Sequence, residues 1–125
     1  FKCFECHFGP DFTGDEFRNI GLYNGLELTD KGRFDVTKDS SDIGKFKTPG
    51  LRNVSLTAPY MHNGMFETLD EVVDFYSNPY DFVKHPINLD TLMVEPLNFT
   101  KQQKRDLVNF LHSLTDKNIP YQDRK

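Results

Sequence analysis

Two cysteines and a histidine within seven residues, Cys3-Phe4-Glu5-Cys6-His7, constrain this chain more than any other feature. The spacing is that of a C-x-x-C-H site for attachment of a c-type haem. Residues three apart share one face of a helical turn. Two thiols so placed reach the two vinyl groups of one porphyrin, and the adjoining imidazole comes under the iron as proximal ligand. Other readings of the cysteines are weaker. A thioredoxin-like pair wants strand-helix alternation, which the sequence lacks. A zinc site needs further ligands, and only His62, His85 and His112 remain, scattered downstream. A disulfide between Cys3 and Cys6 leaves His7 without a role.

Both cysteines lie at one end, so they cannot staple distant segments together. The rest of the chain needs a staple. Only 37% of its 125 residues are hydrophobic, with twelve Phe, no Trp, eight Gly and seven Pro. A loop-rich domain this small and this thin in aliphatic residues is expected to organise around a metal or cofactor. The net charge is −4, with no basic block, which argues against nucleic acid as a partner. No apolar run approaches the ~18 residues of a membrane span.

Residues 1–8 are expected to form a short helix ended by Gly9-Pro10. Residues 11–49 are turn-rich and polar, and 48–64 read as a loop with one helical turn around Leu51–Val54. Two helices carry explicit start signals. Thr68 with Glu71 forms a capping box that opens a helix over Leu69–Ser77, ending before Asn78-Pro79. Thr100 with Gln103 repeats the device, and the helix it opens sets Leu107, Phe110, Leu111 and Leu114 on one apolar stripe, the expected core face. Residues 79–98, with Pro79, Pro86 and Pro96, read as an extended loop. No strand pattern appears, so the fold class is all-α: a few short helices and long loops.

The motif, followed by Thr48-Pro49-Gly50-Leu51-Arg52-Asn53-Val54 and by Leu56-Thr57-Ala58-Pro59-Tyr60-Met61-His62-Asn63-Gly64, closely resembles the C-terminal haem domain of bacterial di-haem cytochrome c peroxidases and their MauG-like relatives. The resemblance continues through Thr68–Tyr76 and into Leu107–Leu111. It implies a cytochrome c-like domain over residues 1–125, wrapped around one covalently bound haem c. In that family peroxide is activated at a second haem in a preceding N-terminal domain. The chain is therefore expected to be a fragment, a processed product or one piece of a larger di-haem assembly.

In the peroxidases the position fourteen residues beyond the His of the P-Y-x-H-x-G motif is Met, and in MauG-like proteins it is Tyr. Counting from His62 reaches Tyr76, which implies the MauG-like branch and a sixth iron ligand at Tyr76. A phenolate is a hard anionic donor that favours Fe(III) over Fe(II). On periodicity alone Tyr76 is an ordinary helix residue, and Met61, Met65 and Met93 are its rivals as ligands. The pattern also implies that His62 lies near the haem edge, that the backbone carbonyls of Thr57 and Pro59 face a Ca²⁺ between two haem domains, and that Arg52 pairs with a haem propionate. His85 and His112 read as surface residues. MauG-like enzymes acting on a large protein carry a Trp two positions before the motif. Here that position is Phe1, leaving Tyr23, Tyr60, Tyr80, Tyr121 or the haem edge as routes for charge.

The function expected from the resemblance is that of an oxidoreductase part. Its six-coordinate haem would transfer electrons or store charge for a peroxide-reactive partner haem, with hydrogen peroxide acting there and a redox protein as further partner. A stand-alone monohaem electron carrier and a haem subunit of a larger complex are the alternatives. Haem attachment at this motif implies a periplasmic or otherwise extracytoplasmic location.

Overall fold

Regular structure is sparse and unevenly placed along the chain. The computed structural model describes residues 2–117. Among them are three α-helices, α1 (Phe34–Thr37), α2 (Leu69–Ser77) and α3 (Lys101–Ser113), several single 3₁₀ turns, and two strands of two residues each. The strands, β1 (Phe17–Arg18) and β2 (Phe46–Lys47), pair antiparallel, Phe17 opposite Lys47 and Arg18 opposite Phe46. They are too short to show the alternation by which a strand is recognised in sequence. The fold is helical in character, with this one short ladder added.

Both capping boxes form. The Thr68 hydroxyl accepts from the Glu71 amide while the Glu71 carboxylate accepts from the Thr68 amide; Thr100 and Gln103 make the same exchange. Each box satisfies two of the amides that a helix start leaves without partners. α2 spans the residues expected and stops where Asn78 turns extended, its side chain capping the next turn at Pro79–Asp81.

α2 is the spine of the molecule because it buries two sides. Phe75 packs with Leu22, Phe66 and Val83 in one cluster, while Leu69 and Val73 pack with Phe99 and Val108 in another. Tyr60 and Tyr76 border both clusters. Phe75 is fully buried and meets the rings of Phe66, Tyr76 and Phe82 in tilted or edge-on geometry, the arrangement aromatic quadrupoles prefer.

The expected apolar stripe of α3 is rotated from its predicted centre. Val108 is the buried residue, flanked by half-buried Leu107 and Leu111, whereas Phe110 is 50% exposed. Phe110 does not join the Val73 cluster and meets the ring of Phe12 edge-on, with centroids 6.5 Å apart.

The first half of the chain is held differently. Asn19, 1% exposed, donates to the carbonyls of Ile43 and Ile87 and accepts from the Gly21 amide. Asn24 accepts from the amides of Leu26 and Leu28 and donates to Glu27 and to the Lys84 carbonyl. These amide side chains supply the backbone partners that a sheet would otherwise provide. Gly44 is needed beside them: its φ is +75°, and a Cβ there would stand 2.6 Å from Asn19 Nδ2.

Candidate functional site

The expected helix over residues 1–8 is a shorter feature, a 3₁₀ turn over Lys2–Glu5 that continues as one more loop of backbone. The Cys3 carbonyl accepts from the amides of both Cys6 (3.2 Å) and His7 (2.9 Å). This bifurcated closure brings the two cysteines and His7 onto one turn. Neither cysteine is in a disulfide. Cys3 keeps an exposed surface and Cys6 is half-buried; surrounding protein pushes both thiols above the ordinary thiol value.

His7 is oriented by a bond that leaves one nitrogen available. Its Nδ1 lies 2.8 Å from the Phe12 carbonyl oxygen. A carbonyl only accepts, so Nδ1 is the donor, and in the neutral ring the lone pair then falls on Nε2, the tautomer that a metal-binding imidazole requires.

Tyr76 reaches the same place from α2. Protein surrounds its hydroxyl, and burial pushes the phenol well above its ordinary pKa, with Cys3 and Cys6 adding in the same direction. The residue nevertheless retains accessible surface, and among the described residues its hydroxyl has no hydrogen-bond partner. Cys3, Cys6 and His7 thus share one turn, and Tyr76 on α2 feels both of its thiols; these four residues are the candidate constellation.

The remaining candidates lie around it or apart from it. Arg52 is 62% exposed, its Nε donating to the Pro10 carbonyl (3.1 Å) and to Asp11 Oδ1 (3.0 Å). His62 stacks on Phe46 with centroids 3.6 Å apart and planes 12° apart. Partial burial lowers its pKa against a raising influence from Asp30. Thr57 and Pro59 are exposed on the loop that contains the cis Ala58–Pro59 peptide. No group of three or more His, Cys, Asp or Glu that could hold a metal ion occurs among the described residues. Met61 and Met93 pack against the Phe75 cluster and Met65 is exposed, while His85 and His112 are on the surface as expected. Tyr23 is buried; Phe1 and Tyr121 lie outside the described residues.

Two features had no sequence signal. One is the Phe12 carbonyl, since nothing in a side chain announces a backbone acceptor. The other is Arg18, which pairs with Glu16 and with Asp90 (3.0 Å) and whose charge opposes, without reversing, the upward shift that burial gives the Cys6 thiol. These groups hold β1 against the loop at Asp90 beside the cysteine turn. A shallow hollow of about 460 Å³, bounded by Asp74, Ser77, Asn78 and Lys104, lies on another side of α2 and includes none of the four constellation residues.

No protein-family model matches the chain. It is 37% identical to the cytochrome-c peroxidase IdrP1 of Denitromonas iodatirespirans over 90% of its own length and 36% of that protein's. Among solved structures it is similar to a MauG-like protein associated with microbial copper homeostasis (TM-score 0.80, 35% identity, 93% of this chain, 40% of the other). It is also similar to the diheme peroxidase BthA of Burkholderia thailandensis (TM-score 0.76, 25% identity, 93% of this chain, 39% of the other). The chain thus spans little more than a third of these proteins.

Proposed function

Because this chain belongs to the family of the di-haem cytochrome c peroxidases and MauG-like proteins, we propose that it is the haem c domain of such an oxidoreductase and holds a six-coordinate haem that serves a partner haem in the electron transfer of peroxide reduction. What supports this reading is the turn that brings two free thiols and the oriented His7 imidazole together, with a phenol on α2 that feels both thiols. Donation from Nδ1 to the Phe12 carbonyl leaves Nε2 as the nitrogen for a metal, and the Tyr76 hydroxyl has no hydrogen-bond partner among the described residues.

The residues fit the group. Cys3 and Cys6 would tether it, His7 Nε2 would supply the proximal ligand, and Tyr76 Oη the distal one. The Arg52 Nη amines have no hydrogen bond among the described residues and would suit a propionate. His62, set on the Phe46 ring, would border the edge. Haem c in this setting supplies a one-electron iron couple biased toward the oxidised state by a hard oxygen ligand. The protein alone favours the neutral phenol, so only a nearby cation offsets the cost of its deprotonation.

The larger role follows from the same reading. A peroxide-reactive haem domain and a redox protein are the partners, with an extracytoplasmic location. The Thr57 and Pro59 carbonyls would face a Ca²⁺ at the junction with that domain. With His7 and Tyr76 both committed to the group, this segment by itself would turn over hydrogen peroxide slowly.

The test is Tyr76→Phe in the full-length protein expressed with haem c attachment, with Cys3→Ala/Cys6→Ala as control. The cysteine variant loses covalent haem from this domain. Tyr76→Phe keeps it but converts its ferric spectrum from low to high spin. A wild-type protein without covalent haem here, or a Tyr76→Phe spectrum identical to wild type, overturns the proposal.

A further inference from the structure

The loop that orients His7 is itself held, and most of what holds it comes from one pentapeptide. Phe12 has a φ of +55°, a left-handed conformation that a bulky side chain adopts only where its surroundings impose it. Thr13 Oγ1 donates to the Thr48 carbonyl at 2.7 Å. The Leu51 amide donates to the Asp11 carbonyl at 3.3 Å, and Arg52 Nε grips Pro10 and Asp11 as described. Gly50 permits this approach, because a Cβ there would stand 2.8 Å from the Asp11 carbonyl oxygen. From outside, Phe110 meets the Phe12 ring.

We infer that Thr48-Pro49-Gly50-Leu51-Arg52 is a buttress for the proximal ligand. By clamping residues 10–13 it keeps the Phe12 carbonyl on His7 Nδ1, and so sets the orientation and basicity of the imidazole. Thr13 is a positioning residue that acts through Phe12; Arg52 joins the clamp through Nε, while its Nη side is the one suited to a propionate. The inference rests on His7 being an iron ligand. An Nδ1–H that donates to a carbonyl makes Nε2 the stronger donor and favours the more positive iron. Loosening the clamp weakens that donation and raises the reduction potential.

The experiment uses the haem-loaded full-length protein and three variants, Arg52→Gln, Thr13→Val and Thr13→Ser. The readouts are the potential of the haem tethered at Cys3 and Cys6 by spectroelectrochemistry, the ferric EPR g-values, and the melting temperature. Thr13→Val raises the potential, shifting the oxidised-to-reduced ratio at fixed poise up to tenfold, or about 59 mV for a one-electron couple; Arg52→Gln, which also removes a cation, is read by g-values that move in the same direction as those of Thr13→Val. Thr13→Ser, which keeps the hydroxyl, stays at the wild-type value. Lower melting temperatures with potential and g-values unmoved overturn the inference and leave the pentapeptide a merely structural support. If Arg52→Gln does not load haem, the Thr13→Val and Thr13→Ser pair decides alone. Wild-type protein lacking haem at these cysteines overturns the underlying reading of His7 instead, so the two failures are distinguishable.

Discussion

Residues 2–57 and residues 66–113 are held by different physics. The second region is built from two capped helices sharing apolar faces, and its buried residues are almost all hydrocarbon: Phe66, Leu69, Val73, Phe75, Val83, Phe99 and Val108. In the first region the buried set includes Asn19, Asn24 and Thr48, and long-range order runs through side-chain amides, one two-residue ladder and the clamp on residues 10–13. A chain with few aliphatic residues concentrates them where helices can use them. It leaves the segment that carries the reactive groups to directional bonds, which fix position well and contribute little net stability each.

The largest test of this contrast is Phe75→Ala. Removing a fully buried ring at the centre of a cluster is expected to cost about 3–5 kcal/mol, read as a lower urea midpoint. Asn19→Ala probes the other half. It leaves the Ile87 carbonyl and the Gly21 amide without their partner, while the Ile43 carbonyl keeps only its bond from Asn88, an expected loss of about 2–3 kcal/mol. A cost well under 1 kcal/mol would break the comparison, since the first region would not then depend on its buried amides. Thr68→Ala and Thr100→Ala remove one cap each and are expected to cost about 1 kcal/mol apiece in thermal unfolding.

The smallest effect is a pH dependence. The amides of Thr68 and Glu67 hold the Glu71 carboxyl below its ordinary value. A carboxyl with a lowered folded pKa adds stability that is present above its unfolded value and is lost as pH falls through the folded one. The difference in melting temperature between wild type and Glu71→Gln is therefore greatest near neutrality and shrinks in acid. A difference that grows in acid would contradict the capping geometry.

The two regions also differ in how far the sequence disclosed them. α2 and the start of α3 could be read to the residue because capping is local: a threonine and a carboxylate or amide three positions on are both visible in the string. Tyr76 was reached by counting from His62, a resemblance to known proteins. Its neighbourhood with the cysteines became visible only in three dimensions. Phe110 was misplaced because helical spacing identifies an apolar face without saying how much of it the partner covers. β1 and β2, the Asn19 hub and the Phe12 carbonyl were illegible for a common reason. Each depends on contacts between segments far apart in sequence, made by backbone groups or by polar residues that usually mark loops.

Tyr76 belongs at once to the constellation and to the seam between the Phe75 and Val73 clusters. An iron bound at its oxygen would thus be anchored to both cores through one rigid side chain. Loading would then register far from the porphyrin, merging the melting of the polar half with that of the helical half into a single transition.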